Sequence, residues 1–349
     1  MSDLTVLLPF ALPPIAMGPD LIRSMQAPSL ATLLGRSRLD HAQEVDAFSR
    51  ALPHEAWLAR AAGIASKDRG NQIAIATQSL ARFTQAPTDG FWFILNPVHL
   101  HVARDHLVLT DSRRLTLNDV ESRQLFALAH PVCAEYGHTL VYCDAANWFI
   151  RADAWHDLQT ATPDSACGHN IDIWMPTGTA ERAWRKLQNE IQMHWHDAPI
   201  NQQRESVGMK PVNSLWLWGG ALASNLIAPC TFKNVYLPDS TMQYFGVTAA
   251  AESTPRAIVD AIASNASNTL LVLDHLIEPA LGDDLGEWLL RINQYEIDWF
   301  APLLATIKTG AIDQCHLVLT DASRLRERVV SKNTLRKFWQ KPSLSVLLT

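Results

Sequence analysis

Three short, uninterrupted apolar runs constrain what this chain can fold into: residues 4–10 (LTVLLPF), 270–275 (LLVLDH) and 315–321 (CHLVLTD). A strand with one wet face alternates apolar and polar side chains. A run that stays apolar at successive positions fits a strand buried on both faces, as in a parallel sheet covered by helices. Helical patterns fall between the runs, at 28–34, 54–62, 71–83, 180–195 and 255–263. Asp284 opens one more, with apolar Leu285, Leu289, Ile292, Tyr295, Trp299 and Leu303 three or four apart and Pro302 expected to kink it or mark its last turn. Strands also read at 214–218 and 233–237. Strands alternating with helices predict an α/β fold whose mostly parallel sheet is sandwiched by helices.

The segment 96–152 differs in character. Two strands at hairpin distance, HLHVA and HLVLTD, precede Asn118-Asp119-Val120-Glu121, an N-cap with Glu at the third helical position. The helix this opens runs to about Tyr136, Gly137 stops it, and the strands HTLVYC and NWFIRA follow. This β-β-α-β-β pattern predicts a small α+β domain at 96–152, inserted into a core formed by 1–95 and 153–349.

At 349 residues, with 48% hydrophobic and 18% charged, the chain can bury a large core. A net charge of −6 offers no electrostatic footprint for nucleic acid. The end of the chain is locally basic, with seven Lys or Arg and one Glu over 322–349, and reads as a solvated helix face. Five cysteines without CxxC spacing, an N-terminus that makes a poor signal peptide and the lack of a long apolar run predict a cytoplasmic protein with no membrane partner. Twelve tryptophans are expected to serve mostly as core or interface packing, with one or two at a ligand site.

The stretch 187–220 reads LQNEIQMHWHDAPINQQRESVGMKPVNSLWLWGG: a helix, an Asn-Arg loop, then a strand ending in Gly-Gly. The order Asn201, Arg204, Gly208, Asn213, Trp216, Trp218, Gly219 resembles a motif of the archaeal-type cofactor-independent phosphoglycerate mutases of the alkaline phosphatase superfamily. It is also similar to the proteobacterial Rpf-type regulatory protein E group. The resemblance implies an alkaline phosphatase-like core, and it implies that Asn201, Arg204, Asn213, Trp216, Trp218 and Gly219 face an anionic ligand. An arginine pinning its loop to the sheet is the alternative reading.

The same resemblance implies a Ser or Thr nucleophile beside two divalent metals held by Asp and His from strand ends. Those positions have largely changed. Pro9-Phe10-Ala11 stands where an Asp-Gly pair is expected, and Leu52-Pro53-His54-Glu55 where the Ser-Asp nucleophile is expected. The segment His275…Pro279-Ala280-Leu281-Gly282-Asp283 keeps its first His and lacks the metal Asp and second His, and Asp321-Ala322 keeps only the Asp of a pair. The implied function is therefore a non-catalytic binding or regulatory protein, without cofactor, acting on a small anionic metabolite or a protein partner. A first alternative is a Mn- or Zn-dependent phosphomutase or phosphohydrolase with a site rebuilt from His54, Glu55, Asp274, His275, Asp283 and Asp321. A second is a scaffold using a Trp-rich surface. His99 and His101, two apart on a predicted strand and so facing one side, with His106 after the turn, are a weaker zinc candidate because no carboxylate of suitable spacing is evident; His194, His196 and Asp197 are another, weakened because residues two apart on a helix point different ways.

Overall fold

The computed structural model describes residues 3–64, 72–224, 230–237, 254–264 and 267–349. The chain forms two compact units, each considered by itself. One comprises 1–47, 52–63 and 229–349, the other 48–51 and 64–228.

The first unit is built on a six-stranded sheet. Its centre consists of β1 (Asp3–Leu8), β10 (Thr269–Val272) and β11 (Gln314–Thr320), which are the three apolar runs of the sequence. β1 pairs in parallel with both neighbours, Leu4 opposite Thr269 and Cys315, Leu7 opposite Val272 and Val318. Leu4, Val6, Leu7, Leu270, Leu271 and Val272 are fully buried, each stabilising the fold by about 1.5–3 kcal/mol relative to exposure. β9 (Asn234–Tyr236) adds a parallel strand beyond β10. β12 (Arg324–Ser331) and β2 (Arg38–Glu44) extend the other side antiparallel. The sheet is thus mostly parallel, with helices packed on it, as the apolar runs predict.

The basic C-terminal stretch departs from expectation. Residues 324–331 form a strand, not a solvated helix, because the backbone pairs with β11; Arg326, Glu327 and Arg328 stay half-exposed, and Arg324 is buried. Beside this sheet run α1 (Gly18–Ser24), α2 (Pro28–Gly35), α3 (Pro53–Ala61), α9 (Pro255–Ser264), α10 (Ile277–Leu281) and α11 (Leu285–Tyr295). Asp284 caps α11 by accepting the Glu287 N–H at 2.9 Å. A π-helical turn, Glu296–Phe300, joins α11 to α12 (Ala301–Thr309). The irregularity lies just before Pro302, whose missing N–H falls where the new helix needs none.

The second unit carries an antiparallel sheet in the order β6-β7-β3-β8: Thr139–Tyr142, Trp148–Arg151, Phe91–Val98 and Ser214–Leu222. β4 (Leu100–Ala103) and β5 (His106–Leu109) form the predicted hairpin, and α5 (Asp119–Glu135) begins at the predicted Asn118–Glu121 capping box. This compact unit is larger than the predicted insert 96–152. β3 begins at Phe91, and its other neighbour is β8, far down the chain, so both belong to the same hydrogen-bonded sheet. α4 (Ala76–Leu80), α6 (Pro163–Ala166), α7 (Glu181–His196) and α8 (Pro199–Ser206) complete it. The predicted start of the helix over 71–83 falls at Asn71, outside the described residues. Residues 199–206 form a helix and not a loop, with Pro199 as the pre-set first residue.

Tryptophan dominates this core. Trp148 and Trp195 meet edge-on at 5.8 Å and Trp155 and Trp184 at 5.9 Å; Trp148 donates its indole N–H to Ser122 Oγ and Trp195 to Leu125 O. Ten of the twelve tryptophans are buried, Trp57 is half-buried and Trp339 exposed. A Trp-rich surface, which the scaffold reading requires, is therefore not what these residues form: they are spent on packing.

Gly220 shows how tight the sheet is. A Cβ there would stand 2.5 Å from the Phe93 ring and 2.9 Å from the Phe91 ring. Gly220→Ala is expected to cost about 1–3 kcal/mol by overpacking. Chemical denaturation would register this as a lower midpoint at unchanged slope.

Candidate functional site

The Asn-Arg-Trp set lies wholly in the second unit, and its polar atoms are turned inward. Arg204, 1% exposed, donates from Nε to Lys210 O (2.9 Å), from Nη1 to Glu121 (2.6 Å) and from Nη2 to Leu115 O (2.5 Å). Asn201 donates to Trp195 O and Val212 O and accepts the Val212 N–H, all within 2.9 Å. Asn213 pairs both ends of its amide with the Leu100 backbone. Trp216 donates to Ala161 O and Trp218 to Asn96 Oδ1. Gly219 has φ +72°, and its carbonyl accepts the Ile75 N–H, with Ile75 and Ile94 packed against its α-carbon. Each of the six is held by contacts within its own unit, and Asn213 is half-exposed. They pin α8 and β8 to the strands and loops around them, which is the alternative reading of Arg204.

A neighbouring buried network repeats the pattern. Arg113 chelates Asp111 through Nε (2.8 Å) and Asp164 through both terminal nitrogens (2.8 and 3.0 Å). Burial raises the Asp111 pKa, with Arg113 opposing. Burial likewise acts to lower the pKa of Arg113, and the two carboxylates outweigh it, so that pKa moves up.

The positions that the resemblance assigns to catalysis all lie in the first unit. At the carboxyl end of β1, Phe10 adopts φ +55°, a left-handed backbone unusual for an aromatic residue. The strain is held by Trp288 Nε1 donating to Phe10 O (2.8 Å) and by the Phe10 ring lying edge-on to His54 at 5.6 Å. His54 and Glu55 are fully buried in the first turn of α3, where Glu55 accepts the Leu52 N–H. At the end of β10, Asp274 is buried, and the His275 N–H donates to Tyr295 Oη (2.8 Å) while its carbonyl accepts from Arg291 (2.6 Å). Burial, then the charge of Asp274, holds the Tyr295 phenol well above its ordinary range.

Asp283 is exposed at φ +51°, between α10 and α11. Asp321, at the end of β11, accepts the Ser323 and Arg324 N–H groups and the Arg324 guanidinium (2.7 Å), which also donates to Pro13 O. The buried cation beside Asp321 is thus supplied by the chain itself. Of the weaker histidine candidates, His99 and His101 have their rings 6.5 Å apart, with His99 bonded to Pro211 O; His106 bonds Asp105, and His194 and His196 are exposed with buried Trp195 between them.

One open groove in the first unit has a mixed apolar and polar lining. It encloses about 350 Å³ between α3, β2, β12 and the loop before β9, with Trp57, Arg60, His41, Phe232 and Glu327 around it. The Trp57 and Phe232 rings stand 6.2 Å apart at 35°, and His41 lies opposite Glu327 across the β2–β12 pairing. Thr231 fixes the end of α3 by donating its N–H and hydroxyl to Ala61 O, each at 2.9 Å. Sequence reasoning missed this set because it comes from four separated segments. Trp57 and Arg60, three apart on a helix, are the one local signal.

No protein-family model matches the chain, and no curated protein sequence matches it. Five solved chains match it, two of them as follows. The PH0037 protein from Pyrococcus horikoshii shares 11% identity over 94% of this chain and 87% of its own, with a TM-score of 0.55. The cofactor-independent phosphoglycerate mutase from Thermoplasma acidophilum shares 11% over 100% and 94%, with a TM-score of 0.47, too loose to argue from. Likeness at this identity speaks to the fold alone: a mostly parallel α/β sheet flanked by helices.

Proposed function

We propose that this chain is a phosphoglycerate mutase-like protein that has given up phosphoryl transfer and works as a binding or regulatory protein, in the manner of the Rpf-type regulatory protein E group. The observation that carries this reading is Asp321. The carboxylate retained from the expected metal set is neutralised by Arg324, 4% exposed, at the end of the core strands. Phe10 and Ala280 occupy two other ligand positions with groups that bind no cation. Several aligned Asp and His ligands are needed to hold two divalent ions, and this sequence is short of them. The reading implies no resident cofactor.

The ligand site of this reading is the groove beside α3, since Arg204 is engaged within its own unit. Trp57 and Phe232 offer flat apolar surface, Arg60 a guanidinium for an anionic group, and His41 and Glu327 polar contacts at the far wall. That combination suits a small anionic metabolite with a planar portion.

A thermal-shift screen of metal-free protein against such metabolites tests it. A binder present at about a hundred times its Kd should stabilise by about 2.7 kcal/mol, and Arg60→Ala and Trp57→Ala should each abolish the shift. A shift that survives both substitutions places the ligand elsewhere. A response that requires Mn or Zn favours the rebuilt enzyme.

A further inference from the structure

Phe338 and Trp339 are the most exposed pair of aromatic side chains among the described residues, at 81% and 67%. They sit at the apex of a turn after α13 (Lys332–Leu335), closed by Lys337 N–H to Thr334 O, Phe338 N–H to Arg336 O and Gln340 N–H to Lys337 O. The two rings touch edge-on, 5.2 Å apart at 81°. Around them the sequence from Lys332 to Lys341 holds four basic residues and no acidic one. Arg336 and Lys341 are exposed, and Lys337 is half-exposed.

The turn is held firmly. Arg36 donates to the carbonyls of Leu335 (2.8 Å) and Gln340 (3.3 Å), bringing a fifth cation beneath it, and the Ser343 N–H donates to Ala31 O. Gly35 allows this close seating: a Cβ there would lie 2.6 Å from Lys341 O. A fixed convex tip with two aromatic rings outward is an arrangement that packing within its unit does not explain.

We propose that this turn is a peripheral docking site for an anionic lipid bilayer, with Phe338 and Trp339 entering the headgroup region and Lys332, Arg336, Lys337 and Lys341 meeting the negative surface. Aromatic rings favour the bilayer interface, and clustered cations add attraction that fades within a Debye length. The shape favours a plane over a nucleic-acid strand, which is tracked along a charged groove. With a net charge of −6 on the whole chain, attraction to an anionic surface must come from this patch and not from the overall field. The sequence-level expectation of no membrane partner rests on the lack of a spanning run. Among the described residues no helix is long and apolar enough to cross a membrane, and a peripheral contact needs none.

Co-sedimentation of the full chain with vesicles tests this, comparing pure phosphatidylcholine with a mixture containing phosphatidylglycerol. Pelleting is expected with the anionic vesicles only, falling at least about tenfold in high salt. The double substitution Phe338→Ser, Trp339→Ser should weaken it by at least about tenfold, and Lys337→Glu with Lys341→Glu should abolish it. Phe338, Trp339 and Lys341 are exposed and Lys337 half-exposed, so circular dichroism and melting should match the parent. The fluorescence difference between the parent and Trp339→Phe should shift to the blue with anionic vesicles. Failure to pellet, equal binding to neutral vesicles, or binding unchanged by both double variants overturns the proposal. So does self-association that the aromatic variant removes in the absence of lipid, which would make the patch a protein contact.

Discussion

Arg204→Ala is expected to destabilise the second unit by about 3–5 kcal/mol, because removing one partner of a buried ion pair strands the other. Glu121 would lose its cation at 2.6 Å, and the carbonyls of Leu115 and Lys210 would lose their donors together. At roughly 2–4 °C per kcal/mol for a unit of this size, the melting transition should drop by on the order of 10 °C. Calorimetry is the suitable readout, since two units need not melt as one transition. Arg204→Lys should recover only part of the loss: an ammonium cannot serve three acceptors spread around a planar fork. A melting point unchanged in Arg204→Ala, with loss of ligand response, would restore the ligand-binding role that the sequence motif implies.

Arg113→Ala should be of similar size and carry a pH signature. The side chain neutralises Asp111 and Asp164, and its loss leaves two carboxylates in a largely desolvated pocket, at a cost of about 3–5 kcal/mol. Burial already raises the Asp111 pKa in the parent, so the folded state holds its proton more tightly than the unfolded chain. The sign follows from linkage: stability from such a group is fully present below its unfolded pKa and is lost as pH rises through the folded one. Without Arg113 the folded pKa climbs further. The variant's deficit should therefore be largest near neutral pH and shrink toward about pH 5, as the carboxylate protonates. A deficit independent of pH would mean that packing, not charge, is what Arg113 supplies.

Much of the fold was legible because burial leaves a mark in local composition. The runs 4–10, 270–275 and 315–321 are apolar at successive positions since β1, β10 and β11 are covered on both faces, and Asn118–Glu121 and Asp284 announce α5 and α11 by capping chemistry. β12 hid among charges: Arg324, Arg326 and Arg328 suggest a wet surface, and only pairing with β11 and β2 makes a strand of them. α8 is too short for periodicity to speak. Pro199, a residue that ends helices in their interior, is here the first residue of one.

The candidate site was less legible, for a different reason. A sequence displays a residue's chemistry and not its partners. Arg204 and Asn201 look like ligand groups until Glu121, 83 residues away, and Val212 are placed beside them. Asp321 looks like a surviving metal ligand until Arg324 folds back onto it three residues later. The groove residues His41, Trp57, Phe232 and Glu327 meet only through tertiary packing.

The proposed function requires that the positions expected to bind metal hold none. Its most direct test is the divalent metal content of the full chain, purified without chelator, by inductively coupled plasma mass spectrometry. The account predicts Mn and Zn far below one ion per chain, and melting unchanged when either is added. One or two ions per chain, lost on substitution of His54, Glu55 or Asp321 with a matching fall in stability, would contradict it.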